Sequence, residues 1–128
     1  MNLLLDTHAF IWWNEGDKKL PSKIDQLLRD RSNQVWLSLA SVWEMQIKVQ
    51  IGKLRLSRPL PDLIDQEIRV NRLRLLSISY DDILHLEQLP MHHRDPFDRI
   101  IITQALTGGF HLVSDDSNMP MYDVPLLW

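Results

Sequence analysis

Short runs of branched apolar residues alternate along this chain with stretches of helical period, and that alternation admits few folds. Residues 2–6, Val35–Ser38, Leu75–Ile78, Leu112-Val113 and Val124–Leu127 read as strands with no consistently polar face. Strands of that kind are buried on both sides, which calls for helices above and below a parallel sheet. The intervening helices are expected at Thr7–Trp13, Pro21–Arg31, Ala40–Ile51, Pro61–Asn71, Asp81–Leu89 and from Asp95-Pro96 to Thr107. Apolar positions 40, 43, 47 and 51 keep helical spacing, with Gly52 as the stop; Gly108-Gly109 stops the last helix. The expected fold is therefore α/β, a three-layer α/β/α sandwich around a short, mostly parallel central sheet.

A chain of 128 residues is most simply one domain over 1–128, and 45% apolar with 24% charged residues is ordinary globular composition. Cysteine is absent, which excludes disulfides, thiolate zinc sites and thiol catalysis. The first residues lack the basic start and cleavage site of a secretory signal. No run approaches the roughly 20 apolar residues of a membrane span, so a cytosolic protein is the default expectation.

Carboxylates stand at the tips of the apolar runs. Leu3-Leu4-Leu5 leads into Asp6, the second strand into a helix carrying Glu44, and His111-Leu112-Val113 into Asp115-Asp116, while Asp95 and Asp98 open the run Ile100-Ile101-Ile102. Each acid has a local explanation. Asp6 can cap the helix starting at Thr7. Glu44 follows Ser41 as in a capping box, or pairs with Lys48 one turn on. Asp95, Pro96 and Asp98 form a regular helix start, and Asp116 suits an Asx turn. Taken together, however, strand tips in such a fold share one edge, where ligands bind. Carboxylates about 5 Å apart repel by roughly 3 kcal/mol per pair at an effective dielectric near 20. Such a cluster either holds protons or binds a hard cation, and all-oxygen ligation points to Mg²⁺ or Mn²⁺.

Net charge is −3, which argues mildly against broad nucleic-acid binding. Between Lys48 and Arg74, though, Lys48, Lys53, Arg55, Arg58, Arg69, Arg72 and Arg74 face only Asp62, Asp65 and Glu67. That excess reads either as a solvated face or as a track for a phosphate backbone. The five histidines show no H-x-x-x-H spacing, so a zinc hydrolase is disfavoured, and His92-His93-Arg94 reads as an exposed loop. Trp12, Trp13, Trp36 and Trp43 are expected mainly in the core. Adjacent Trp12 and Trp13 cannot both face inward, which leaves one for an apolar groove that takes a partner helix.

Four segments in order carry a family resemblance: LLLDTHAFIWW, SVWEMQIK, HRDPFDRIIITQA and LVSDD. Together they resemble the PIN-domain ribonucleases, most closely the VapC-type toxins of toxin–antitoxin operons, over essentially the whole chain. The resemblance puts the family's acids on Asp6, Glu44, Asp98 and Asp116, with Asp6 and Asp98 as core metal ligands. Thr7 and Ser114 fill its hydroxyl positions, as contacts to the acids or to phosphate. It implies Mg²⁺- or Mn²⁺-dependent hydrolysis of RNA to 5′-phosphate and 3′-hydroxyl ends, an antitoxin partner and a homodimer. Ile102-Thr103 departs from the family's Ile-Ala without removing an acid. Two other classes stay open. One is a Mg²⁺-binding phospho-acceptor signalling domain, which would want a lysine near the last strand, where Val124–Trp128 has none. The other is a non-catalytic binding module whose acids are only caps.

Overall fold

The computed structural model of the protein describes all residues, 1–128. Five strands, β1 (Asn2–Leu5), β2 (Gln34–Ser38), β3 (Arg74–Leu76), β4 (His111–Val113) and β5 (Leu126–Leu127), form one sheet in the order β3-β2-β1-β4-β5. Every pairing is parallel, so the sheet expected to be mostly parallel is wholly so. Six helices accompany it: α1 (Thr7–Glu15), α2 (Ser22–Arg29), α3 (Leu39–Gln50), α4 (Leu60–Asn71), α5 (Tyr80–His85) and α6 (Pro96–Gly108). Two 3₁₀ turns, Leu86–Gln88 and Met119–Met121, complete the elements.

The period-2 alternation of the strands sorts their side chains into two cores. Leu3, Leu5, Val35, Leu37 and Val113 pack on one side with Phe10 and Trp13 of α1, Ile24 and Leu28 of α2, and Leu60 and Ile64 of α4. Leu4 and Leu112 point the other way, onto Ile101, Ile102 and Ala105 of α6. Helix α3 serves both layers, sending Met45 to the first core and Ala40 to the second. Burial of Leu3, Leu4, Leu5 and Leu112 is complete, as the continuous apolar runs require. No helix is long and apolar enough to cross a membrane.

Some boundaries moved. The edge strands β3 and β5 are shorter than Leu75–Ile78 and Val124–Leu127, since each has a neighbour on one side only. The helix expected over Asp81–Leu89 stops at His85 and tightens into the Leu86–Gln88 turn. Neither piece buries a residue. The Arg99 guanidinium collects the Leu86, Leu89 and Pro90 carbonyls at 3.0–3.2 Å beyond the end of α5. Trp43 is the exception among the tryptophans expected in the core, being 60% exposed on the outer side of α3. There its ring meets Phe97 edge-on at 5.2 Å.

Helix α6 ends at Gly109, whose φ of +70° is costly for a side chain, while a Cβ on Gly108 would come within 2.4 Å of the Phe110 ring. The same left-handed cap closes α4 with Arg72, at φ +57°, the one non-glycine residue with positive φ. Arg72→Gly should relieve that strain and raise stability by up to about 1 kcal/mol, the flexibility of glycine in the unfolded chain opposing part of the gain. An unchanged or lower urea midpoint would show that the Arg72 side chain stabilises the fold by more than its backbone costs.

The strand order places the switch of chain direction between β1 and β4. From β1 the chain moves outward through β2 and β3, then resumes on the opposite side with β4 and β5. The crevice of such a sheet opens at the C-terminal ends of the two strands flanking the switch. Asp6 directly follows β1, and Ser114 directly follows β4.

Candidate metal centre

Asp6 is both the end of β1 and the N-cap of α1. Its Oδ1 accepts the Ala9 amide at 2.7 Å, so the capping role expected for it is real. The side chain is nonetheless 5% exposed, and burial pushes its pKa up to about 6. The Ser114 hydroxyl, the Ala9 amide and His8 pull in the opposite direction without cancelling that effect.

Glu44 comes from the interior of α3. Ser38, not Ser41, caps this helix, accepting the Ala40 amide at 3.0 Å, so the capping-box reading of Glu44 fails. Thr7 Oγ1 instead donates to Glu44 Oε1 at 2.8 Å and lies 3.1 Å from Ser41 Oγ, tying α1 to α3. The other oxygen, Oε2, pairs with Lys48 Nζ at 2.6 Å. Glu44 is only 4% exposed, so this is an ion pair with one end in the interior.

Asp98 occupies the third position of α6, after the Asp95 cap and Pro96. Asp95 Oδ1 accepts the Phe97 and Asp98 amides at 2.8 and 3.2 Å, which uses it as a cap, as expected. The Asp98 carboxylate has no such employment. Its pKa rises to about 7, first through burial, then through the neighbouring carboxylates Asp95, Glu44 and Asp116. Asp98 thus lies near enough to Asp95, Glu44 and Asp116 to feel their charge.

Asp116 follows β4 and Ser114. Its amide donates to Ser114 Oγ at 3.1 Å and its Oδ1 accepts the Asn118 amide at 2.8 Å, the expected Asx turn. Asp116 Oδ2 lies 3.2 Å from His93 Nε2. Ligating atoms of His93, Asp98 and Asp116 fall within 4.8 Å of one another, close enough to surround a cation. Asp115 is exposed and adds only some repulsion to Asp6.

All four acids thus lie at the C-terminal edge of the sheet, but not as equals. Asp98 and Asp116 make the tight group, with Glu44 near enough to disturb Asp98. Asp6 stands outside that group, joined to it through Ser114 and through its neighbour Thr7. His93 is a correction: read from sequence as part of an exposed loop, it is 7% exposed, whereas His92 beside it is open to solvent. Tyr122 packs on both rings, edge-on to His92 at 4.9 Å and stacked on His93 at 5.4 Å. Only His93 is hydrogen-bonded to it, through the backbone amide at 2.8 Å, and turns inward toward Asp116. The basic excess of the sequence does not gather at the acids. Lys48 is committed to Glu44, while Arg72 and Arg74 line a polar pocket of about 330 Å³ with Arg29 and Arg31, at the opposite edge of the sheet.

The close pair Asp98 and Asp116, with Asp6 and Asp98 raised by burial to pKa values of about 6 and 7, fits a hard divalent cation and its oxygen preference. The sequence matches the PIN domain profile over residues 3–125. Ribonuclease VapC22 of Mycobacterium tuberculosis is 23% identical over 124 residues, spanning 96% of this chain and 93% of that protein. Among solved structures, VapBC2 of Rickettsia felis bound to a promoter DNA fragment superposes with a TM-score of 0.74 at 16% identity, covering 100% of this chain and 99% of the other. A toxin–antitoxin complex from Klebsiella pneumoniae gives 0.64 at 15% identity, with 98% and 96% covered. FitAcB of Neisseria gonorrhoeae gives 0.65 at 17% identity, with 98% and 96% covered.

Proposed function

Since the chain belongs to the PIN-domain family, we propose that it is a metal-dependent endoribonuclease and the toxin of a toxin–antitoxin pair. The observation that carries this reading is the convergence of Asp98 and Asp116, together with His93, whose ligating atoms lie within 4.8 Å of one another at the C-terminal edge of the sheet. Asp6, Glu44, Asp98 and Asp116 are the residues that would hold Mg²⁺ or Mn²⁺. A bound divalent ion supplies Lewis acidity toward water and neutralises charge on a phosphodiester, for hydrolysis to 5′-phosphate and 3′-hydroxyl ends.

The chain's own groups set the conditions for that chemistry. Thr7 fixes one oxygen of Glu44, and Lys48 the other, so the carboxylate keeps a single orientation. Asp6 is locked by its cap bond to Ala9. Fixed ligands lower the reorganisation needed when charge develops on the phosphoryl group. RNA as substrate is supported by the name of the Mycobacterium relative, and an antitoxin partner by the complexes among the structural relatives. An apolar groove of about 400 Å³ between α3 and α4, lined by Leu39, Val42, Trp43, Leu60 and Ile64, suits an apolar antitoxin segment. A homodimer and a cytosolic location complete the reading.

Two measurements test it. Millimolar Mg²⁺ or Mn²⁺ should raise the melting temperature by several degrees and switch on cleavage of single-stranded RNA, with chelator reversing both. No stabilisation by either ion would favour a binding module whose acids are caps. Stabilisation without cleavage of any cellular RNA would favour a phospho-acceptor.

A further inference from the structure

His93 belongs to the tight group around Asp98 and Asp116, and at first sight its Nε2 is a third ligand. The hydrogen bonds on its other side argue otherwise. Tyr122 Oη accepts the His93 backbone amide at 2.8 Å and also lies 3.1 Å from His93 Nδ1. A phenol has one proton to donate. Both partners are buried, Tyr122 being 5% exposed, and no acceptor other than Nδ1 is within hydrogen-bond reach of that hydroxyl.

If Nδ1 carried the proton of a neutral ring, the Tyr122 proton would have no acceptor, and the bare Nε2 would face a carboxylate oxygen at 3.2 Å. Two acceptors would then oppose each other in a part-buried space, an arrangement that forfeits one bond and adds repulsion. If instead Tyr122 donates to Nδ1, Nε2 carries the hydrogen and donates to Asp116 Oδ2, and every group is satisfied. The stacked contact of the two rings, 5.4 Å between centroids and 19° between planes, holds the imidazole in that pose. Asp116 is then gripped at both oxygens, Oδ1 by the Asn118 amide and Oδ2 by His93.

We propose that His93 is a positioning residue, held by Tyr122 as the Nε2–H tautomer, that donates to Asp116 and is not itself a metal ligand. The ligand set is then oxygen alone, which keeps the centre selective for hard ions over zinc. A hydrogen-bonded carrier behind a ligand carboxylate commonly changes metal affinity or activity by about 10- to 100-fold when removed. The functional half of this proposal rests on the nuclease reading; the tautomer does not.

Long-range proton–nitrogen NMR of histidine-labelled, metal-free protein at neutral pH tests the tautomer, with His93→Gln assigning the signal. A bare Nδ1 and a protonated Nε2 are expected, both persisting at saturating Mg²⁺, and Tyr122→Phe should blur them into an exchanging mixture. A protonated Nδ1, a doubly protonated ring, or loss of the Nε2 proton on adding Mg²⁺ would overturn the assignment. For the positioning role, His93→Leu should weaken Mn²⁺ binding, followed by electron paramagnetic resonance, by about 10- to 100-fold. His93→Gln, whose amide nitrogen can donate near the same point, should restore most of it. Equal weakening in both variants, or in neither, would overturn the positioning role. If the protein proved to cut no RNA, the NMR and Mn²⁺ results would still stand or fall separately.

Discussion

Asp98→Asn is expected to reduce RNA cleavage by at least about a thousandfold while leaving the protein folded, the scale of losing a charge aimed at a metal-assisted phosphoryl transfer. The amide preserves shape at the third position of α6, and the Asp95 cap that starts the helix is untouched. What disappears is the negative charge that Glu44, Asp95 and Asp116 already oppose. Two signatures should accompany the loss. The melting-temperature rise produced by Mg²⁺ or Mn²⁺ should shrink, and the metal-free variant should be more stable than the metal-free parent at pH 8. Because the folded pKa of Asp98 is about 7, above that of a free carboxyl, the folded state holds its proton more tightly. The parent without metal should therefore lose stability as pH rises from about 4 to about 7, and Asp98→Asn should remove that part of the slope. Activity near that of the parent would remove the metal centre from consideration.

The second large effect separates two jobs that Asp6 performs with one side chain. Its folded pKa of about 6 lies roughly two units above the free value, which at pH above 6 corresponds to about 3 kcal/mol of destabilisation in the absence of metal. That cost is absent below about pH 4, where the carboxyl is protonated folded or unfolded. Asp6→Asn keeps a capable cap for α1 and removes the charge, so the metal-free variant should be more stable than the parent by up to about 3 kcal/mol at pH 8 and equal to it near pH 4. Asp6→Ala should show the same flattened pH dependence but sit about 1 kcal/mol lower throughout, because the Ala9 amide loses its acceptor. Both should lack cleavage activity. Urea unfolding in chelator at the two pH values reads all of this. If the parent and Asp6→Asn keep a constant difference from pH 4 to pH 8, the carboxyl is not titrating as its burial requires.

The layers and the edge that gathers the acids were legible in the sequence because both follow from local patterns. Unbroken apolar runs such as Leu3–Leu5 announce strands covered on both faces, and Leu3–Leu5 is indeed fully buried. Asp95 as a cap and Gly109 as a stop rest on backbone chemistry of a few adjacent residues. The misreadings share a different cause. His93 is buried by Tyr122, which lies 29 residues further on in a segment without periodicity, so no local pattern marks either residue. The Asp81–Leu89 helix tightens after His85. With Pro90 unable to donate to the Leu86 carbonyl, Arg99 from another helix takes up that carbonyl and the Leu89 carbonyl. Ser41 and Glu44 left a capping box open beside a Lys48 pair; the Lys48 pair is present, and Thr7, from a different helix, bonds both Ser41 and Glu44. Trp43 was expected in the core on residue type alone, yet its position on α3 faces outward. Residues distant in the sequence supply the contacts at His93, at the Leu86–Gln88 turn and at Glu44.

Lys48, one helical turn beyond Glu44, places its ammonium 2.6 Å from Glu44 Oε2, so this carboxylate already has a cationic partner. On the proposed reading, a divalent ion held by Glu44 would have to compete with that ammonium, a monovalent cation kept at a fixed local concentration by the helix. The metal level at which such a centre filled would then depend partly on a lysine of the chain itself.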